Sequence, residues 1–235
     1  MTLMLPRLYL IRHGETAWSL SGQHTGRTDI VLTDQGEQDV RDLGDRLRAV
    51  RFNCVFTSPR QRSRRTCELA GLGSVAEVEP DLQEWDYGDY EGKSSADIRV
   101  VRPDWNLFRD GCPHGESPAQ ASERAGRVIA RLRALEGNVA IFSHGHFGRV
   151  LAARWIGLPV SQAQHFLLST ASLSILGFEH NVAEAPAIVL WNAVSNAILD
   201  LAPQQRVADK ETRANKRAIE RWENEGGEIL TERKT

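Results

Sequence analysis

Two histidines stand in the same local setting, far apart in the chain. In Leu10-Ile11-Arg12-His13-Gly14-Glu15-Thr16 an apolar run ends in arginine, histidine and glycine. In Ile141-Phe142-Ser143-His144-Gly145-His146-Phe147-Gly148-Arg149 an apolar run again ends in histidine and glycine. An imidazole near neutral pH can act as nucleophile, base or acid. Arg12 adds a permanent charge whose forked donors suit phosphate oxygens. Gly14 lets the backbone turn tightly or approach a ligand closely. Two such strand ends side by side would place two histidines against one anion.

Two further segments lie between them. Thr57-Ser58-Pro59-Arg60-Gln61-Arg62-Ser63-Arg64-Arg65-Thr66 follows a strand-like run and opens a helix. A helix N-terminus favours anions through its free amides and dipole, and Arg62 would sit in its first turn. Arg60, Arg64 and Arg65 read as a solvated basic face. Leu82-Gln83-Glu84-Trp85-Asp86-Tyr87-Gly88-Asp89-Tyr90-Glu91-Gly92 interleaves carboxylates with aromatics. Any one of Glu84, Asp86, Asp89 and Glu91 becomes a proton donor if burial or a neighbouring acid raises its pKa.

The elements that must carry these segments alternate. Strands are expected at Arg7 to Arg12, Asn53 to Phe56, Asn138 to Phe142, Ala171 to Phe178 and Ala187 to Leu190. Helical spacing follows a Thr33 N-cap through Val40, Leu43, Leu47 and Val50. Pro59 suits the first turn of a helix running to about Ala70. Ser117-Pro118 suits the entry to a helix with Ala121, Ala125, Val128, Ile129 and Leu132 on one face. A further helix is expected from about Phe147 to Ile156, and Glu79 to Gly92 reads as loop. This order predicts an α/β chain with a mostly parallel sheet covered on both faces. Residues 1–202 form the expected domain. Residues 203–235 form a charged tail, with a helix expected at Lys210 to Trp222.

Composition narrows the function classes. The chain has 235 residues, 26% of them charged, and a formal net charge of −2, so no nucleic-acid or membrane partner is expected. Cys54, Cys67 and Cys112, without CxxC spacing, argue against a disulfide framework and a zinc site. Met1 to Pro6 is too short for a signal peptide, and no apolar run reaches the roughly 20 residues that span a bilayer. A cytoplasmic setting is the expectation. A homodimer stays open.

The four segments, in this order, resemble the histidine phosphatase superfamily, also called phosphoglycerate-mutase-like. The likeness covers about residues 7 to 195. Trp18 to Asp29, Ser143 to His146 followed by Arg149, and Arg109 to Ser117 are similar to a branch of bacterial acid phosphatases and the fungal sedoheptulose bisphosphatase type. The resemblance implies a three-layer α/β/α sandwich and a metal-independent, cofactor-free phosphatase acting on a small-molecule phosphate ester, a sugar phosphate or bisphosphate. It implies that His13 becomes phosphohistidine. It further implies that Arg12, Arg62 and His144 bind the phosphoryl oxygens and that Glu84 protonates the leaving alcohol. Ser19, Thr25, Gly26 and His146 fall at substrate-contact positions. Arg149 is expected either to pack or to grip a second phosphate. For this chemistry His13 should be neutral and His144 cationic.

Two alternatives follow from the same resemblance. A cofactor-dependent phosphoglycerate mutase uses the same phosphohistidine, but mutases carry a longer insert between the acid loop and the second histidine. Here 51 residues separate Gly92 from His144, and His146 stands where mutases usually have Asn. Both departures favour water as acceptor. A protein phosphatase or phosphohistidine-linked regulator would need a broad basic surface, for which Arg60 to Arg65 is the only candidate run.

Overall fold

The computed structural model describes residues 4–194. The expected tail, 203–235, and the last residues of the expected domain lie outside them. In chain order the elements are β1 (Arg7–Arg12), α1 (Ala17–Ser21), α2 (Asp34–Leu47), β2 (Cys54–Thr57), α3 (Gln61–Leu69) and β3 (Glu77–Val78). There follow α4 (Ser95–Val101), α5 (Leu107–Asp110), α6 (Pro118–Arg133), β4 (Asn138–Ser143), α7 (Gly145–Trp155), β5 (Leu173–Phe178) and β6 (Pro186–Ala193). The six strands form one sheet in the order β3-β2-β4-β1-β5-β6. β3, β2, β4 and β1 run parallel, and β5 is antiparallel to both β1 and β6.

Successive side chains of a strand point to opposite faces, and the two cores follow that alternation. Leu8 and Leu10 of β1 with Val139 and Ile141 of β4 join the core under α6 and α7. Tyr9 and Ile11 with Ala140 and Phe142 join the core under α2 and α3. This is a three-layer α/β/α sandwich. The β1–β4 register pairs Arg12 with Ser143, so His13 and His144 leave neighbouring strands at the same level.

Two helix starts depart from expectation because their caps come from distant residues. α3 starts at Gln61 rather than Pro59, and Asp29 Oδ1 accepts the Gln61 amide at 2.8 Å. α7 starts at Gly145 rather than Phe147, with Glu84 accepting its first amides. The stretch after the acid loop holds α4, which has a Ser94–Asp97 capping box.

Gly14 serves a close backbone approach to α2. A Cβ on Gly14 would lie 2.7 Å from the Gly36 carbonyl oxygen, and one on Gly36 would lie 2.4 Å from that of Glu15. The Gly14 amide donates to Thr66 Oγ1 at 3.0 Å, so α2 and α3 together fix the turn that carries His13. Gly36→Ala is expected to destabilise the protein by about 1–3 kcal/mol through overpacking. Urea denaturation measures it; an unchanged midpoint would contradict the backbone contact.

Candidate active site

His13 lies at the C-terminal end of β1, where open α/β sheets bind ligands. Its Nδ1–H donates to the Gly14 carbonyl at 2.7 Å. A carbonyl only accepts, so this bond fixes the tautomer and leaves the lone pair on Nε2. Burial, followed by the charges of Arg62 and Arg12, holds its pKa well below the ordinary histidine value. A neutral imidazole with a free Nε2 lone pair is a nucleophile.

His144 packs beside it, with ring centroids 5.2 Å apart. The expectation of a cationic His144 is corrected here. Burial first, then Arg62 and His13, push its pKa well below the ordinary value too. Ser58 Oγ lies 2.7 Å from His144 Nε2.

Arg62 points inward from the first turn of α3 and is fully buried. It donates to the carbonyls of Thr25, Gly26 and Thr28 at 2.8–3.1 Å, while its Nε has no hydrogen-bond partner among the described residues. Arg12 donates to the Leu168 carbonyl, and Gly145 makes room for it: a Cβ there would lie 3.1 Å from the Arg12 guanidinium carbon.

The structure separates the four loop carboxylates. Asp86 pairs with Arg27 at 2.6 Å and Asp89 with His114 at 2.9 Å. Glu91 accepts the amides of Gly26 and Thr28. Glu84 alone of the four is buried at the cleft. It accepts the amides of Trp85, His146 and Phe147 at 2.8–3.0 Å, two of them in the first turn of α7. Burial raises its pKa, and those amides and Arg62 only partly oppose the rise. That is the setting of a carboxyl able to carry a proton.

Arg12, His13, Trp18, His24, Glu84 and His146 are among the residues that line a cleft of about 440 Å³; Arg62 and His144 are fully buried and are not part of its lining. Ser19 and Thr25 also line it. The Ser19 hydroxyl already serves the α1 capping box with Thr16. Tyr87 Oη lies 2.6 Å from His146 Nδ1, and His24 stacks on Tyr87 at 4.6 Å. Among the described residues, no group of three or more His, Cys, Asp or Glu side chains could hold a metal ion. No helix among them is long and apolar enough to cross a membrane.

Two expected substrate contacts lie elsewhere. Gly26 does not line the cleft; its amide goes to Glu91 and its carbonyl to Arg62. Arg149 also lies off the cleft wall, fully buried in α7. It donates to the carbonyls of Ala163 and Gln164 at 3.0 and 2.7 Å and covers the Phe108 ring. The geometry favours packing over a grip on a second phosphate. Of the arginines in the Arg60 to Arg65 run, Arg64 and Arg65 are exposed. Arg62 is buried, Arg65 pairs with Glu37, and Arg60 donates to Arg27 and Gln83.

Sequence reading missed Arg124. This buried α6 arginine pairs with Glu116 at 2.6 Å and donates to the carbonyls of Asp81 and Gln83, bracing the loop that presents Glu84. A charge on the apolar face between Ala121 and Ala125 was the available signal.

The family model of the histidine phosphatase superfamily (branch 1) matches residues 8–194. The chain belongs to that superfamily. An acid phosphatase of Mycobacterium tuberculosis is 44% identical over 188 residues, covering 78% of this chain and 92% of the relative. Sedoheptulose 1,7-bisphosphatase of Saccharomyces cerevisiae is 37% identical over 195 residues, covering 69% and 72%. A solved structure of an open reading frame product from Mycobacterium tuberculosis superposes with a TM-score of 0.75 at 41% identity, covering 80% of this chain and 97% of that one.

Two outcomes follow for this histidine phosphatase. His13, His24 and His144 all have lowered pKa values, that of His24 pushed down to about 3 chiefly by burial. Below the unfolded value the unfolded chain binds more protons, so stability falls as pH drops beneath about 6.5, by up to roughly 1.4 kcal/mol per unit per histidine. In urea titrations between pH 7 and 5.5, His24→Phe should show a shallower loss than the parent; an equal slope would reject the buried neutral His24. Arg149→Met should cost about 1–3 kcal/mol by stranding buried carbonyls. It should lower kcat/KM for sugar monophosphates and bisphosphates by the same factor, and a selective loss on bisphosphates would restore the second-phosphate role.

Proposed function

We propose that this histidine phosphatase hydrolyses small phosphate monoesters through a phospho-His13 intermediate. The observation that carries the reading is the Nδ1–H···O=C bond from His13 to Gly14, which leaves Nε2 as the attacking lone pair. His13 Nε2 bonds to phosphorus as the ester P–O bond breaks, and the leaving oxygen takes the proton of Glu84. The Glu84 carboxylate then removes a proton from water, whose oxygen attacks phosphorus. The P–N bond breaks, its electron pair returns to Nε2, and inorganic phosphate leaves with Glu84 protonated again. Arg12 and Arg62 supply positive charge for the transferring oxygens, which is most of what phosphoryl transfer asks of a protein.

Phosphatase activity is supported by the superfamily and by relatives named acid phosphatase and sedoheptulose 1,7-bisphosphatase. The burial of Arg149 on carbonyls supports a substrate held mainly by one phosphate. Trp18, His24, Tyr87 and His146 then form the wall for a small, hydroxylated leaving group, such as a sugar.

The test is phosphate release from sugar monophosphates, sugar bisphosphates, phosphoglycerates and p-nitrophenyl phosphate, with EDTA present. His13→Ala should lose at least about 1,000-fold. Glu84→Gln should cost about 100- to 10,000-fold on sugar phosphates and far less on p-nitrophenyl phosphate, whose leaving group hardly needs an acid. Equal losses on both would remove Glu84 from the acid role. Isomer exchange of phosphoglycerates with little release would replace the phosphatase by a mutase.

A further inference from the structure

Ser58 sits at the C-terminal end of β2, fully buried, with its hydroxyl between two nitrogens. The amide of Arg60 donates to Ser58 Oγ at 3.3 Å, and His144 Nε2 lies 2.7 Å away on the other side. A hydroxyl has one proton to give. With Arg60 donating to the oxygen, the acceptor available for that proton among the described residues is His144 Nε2. Were Nε2 protonated instead, the Ser58 proton would be left buried with no acceptor, at a desolvation cost. The opposite nitrogen, His144 Nδ1, is buried with no hydrogen-bond partner among the described residues, beside the His13 ring.

We propose that Ser58 is a positioning residue: by donating to His144 Nε2 it fixes the tautomer in which Nδ1–H is the donor to the transferring phosphoryl group. The two histidines then carry opposite tautomers. His13 donates from Nδ1 to a carbonyl and attacks with Nε2. His144 accepts at Nε2 and presents Nδ1–H to an oxygen. His144 therefore serves as a neutral donor and needs no second proton. A neutral partner also adds no charge beside His13, which must keep its lone pair. The orphaned Arg62 Nε supplies a second buried donor of the same kind. This assignment rests on the phospho-His13 reading for its catalytic meaning, while the tautomer itself is a property of the free protein.

The experiment has two arms. In the first, 15N NMR of the histidine side chains is recorded on the full chain near neutral pH, with His144→Gln identifying the His144 signals. The expected spectrum has Nδ1 in the protonated, pyrrole-like range and Nε2 in the lone-pair, pyridine-like range. Nε2 protonated in the parent would overturn the assignment. In the second, Ser58→Ala is compared with the parent for kcat, KM, orthovanadate inhibition and the His144 signals. The expected outcome is a fall of about 10- to 100-fold in kcat. KM should change little, vanadate should bind more weakly, and the His144 signals should move toward a mixture of tautomers. Unchanged kcat with unchanged His144 signals would overturn it. So would a loss confined to thermal stability. If Ser58→Ala does not fold, the first arm still decides. Failure of the phosphatase reading shows separately, as absence of phosphate release from the parent or retention of it in His13→Ala.

Discussion

Everything around the cleft depends on keeping a guanidinium buried without a carboxylate in hydrogen-bond contact. Arg62 is fully enclosed, and its hydrogen bonds end on peptide carbonyls. Carbonyls satisfy the two terminal nitrogens but leave the net charge in place. Arg124 is the contrast: equally inaccessible for most purposes, it is neutralised by Glu116 and does structural bracing. An unneutralised buried charge costs several kcal/mol. It persists here because two cores, one on each face of the sheet, hold the surrounding loops rigidly. What the fold loses in stability it retains as a positive charge close to His13 and His144.

The parallel sheet turns that potential into a site. β1, β4 and β2 lie next to one another and end at the same edge, so Arg12-His13, His144-Gly145 and Ser58 emerge together. Burial first, and then the positive surroundings, suppress protonation of both imidazoles, which would otherwise be ambiguous near neutral pH. Glu84 completes the arrangement from the opposite direction. It caps the start of α7 while its own burial raises its pKa, so one carboxyl holds a helix end and is also able to carry a proton.

Much of this was legible in the order of residues. Strand-end histidines, the arginine at the head of α3 and the apolar face of α6 follow from local pattern. The choice among Glu84, Asp86, Asp89 and Glu91 did not. It depends on Arg27, His114 and the amides of Gly26 and Thr28, which meet the loop only after folding. Arg149 was equally undecidable, because the carbonyls that hold it belong to residues 163 and 164. The α7 start was hidden for the same reason, since its cap comes from another loop. Ser94 and Asp97, by contrast, form a capping box that sequence alone displays, and α4 could have been read from it.

The segment from Thr25 to Thr28 is gripped on both sides of its backbone. Its amides at 26 and 28 end on Glu91, and its carbonyls at 25, 26 and 28 end on Arg62. Such a segment has no hinge: moving it would strand a buried cation and a carboxylate at once. The cleft wall at Thr25, the one residue of this segment that lines it, therefore behaves as a fixed die rather than a door. Discrimination between esters at this wall is set by shape already present before encounter, and a change of preference here would come through neighbouring side chains such as Trp18, Gln23 and His24, not through a looser loop.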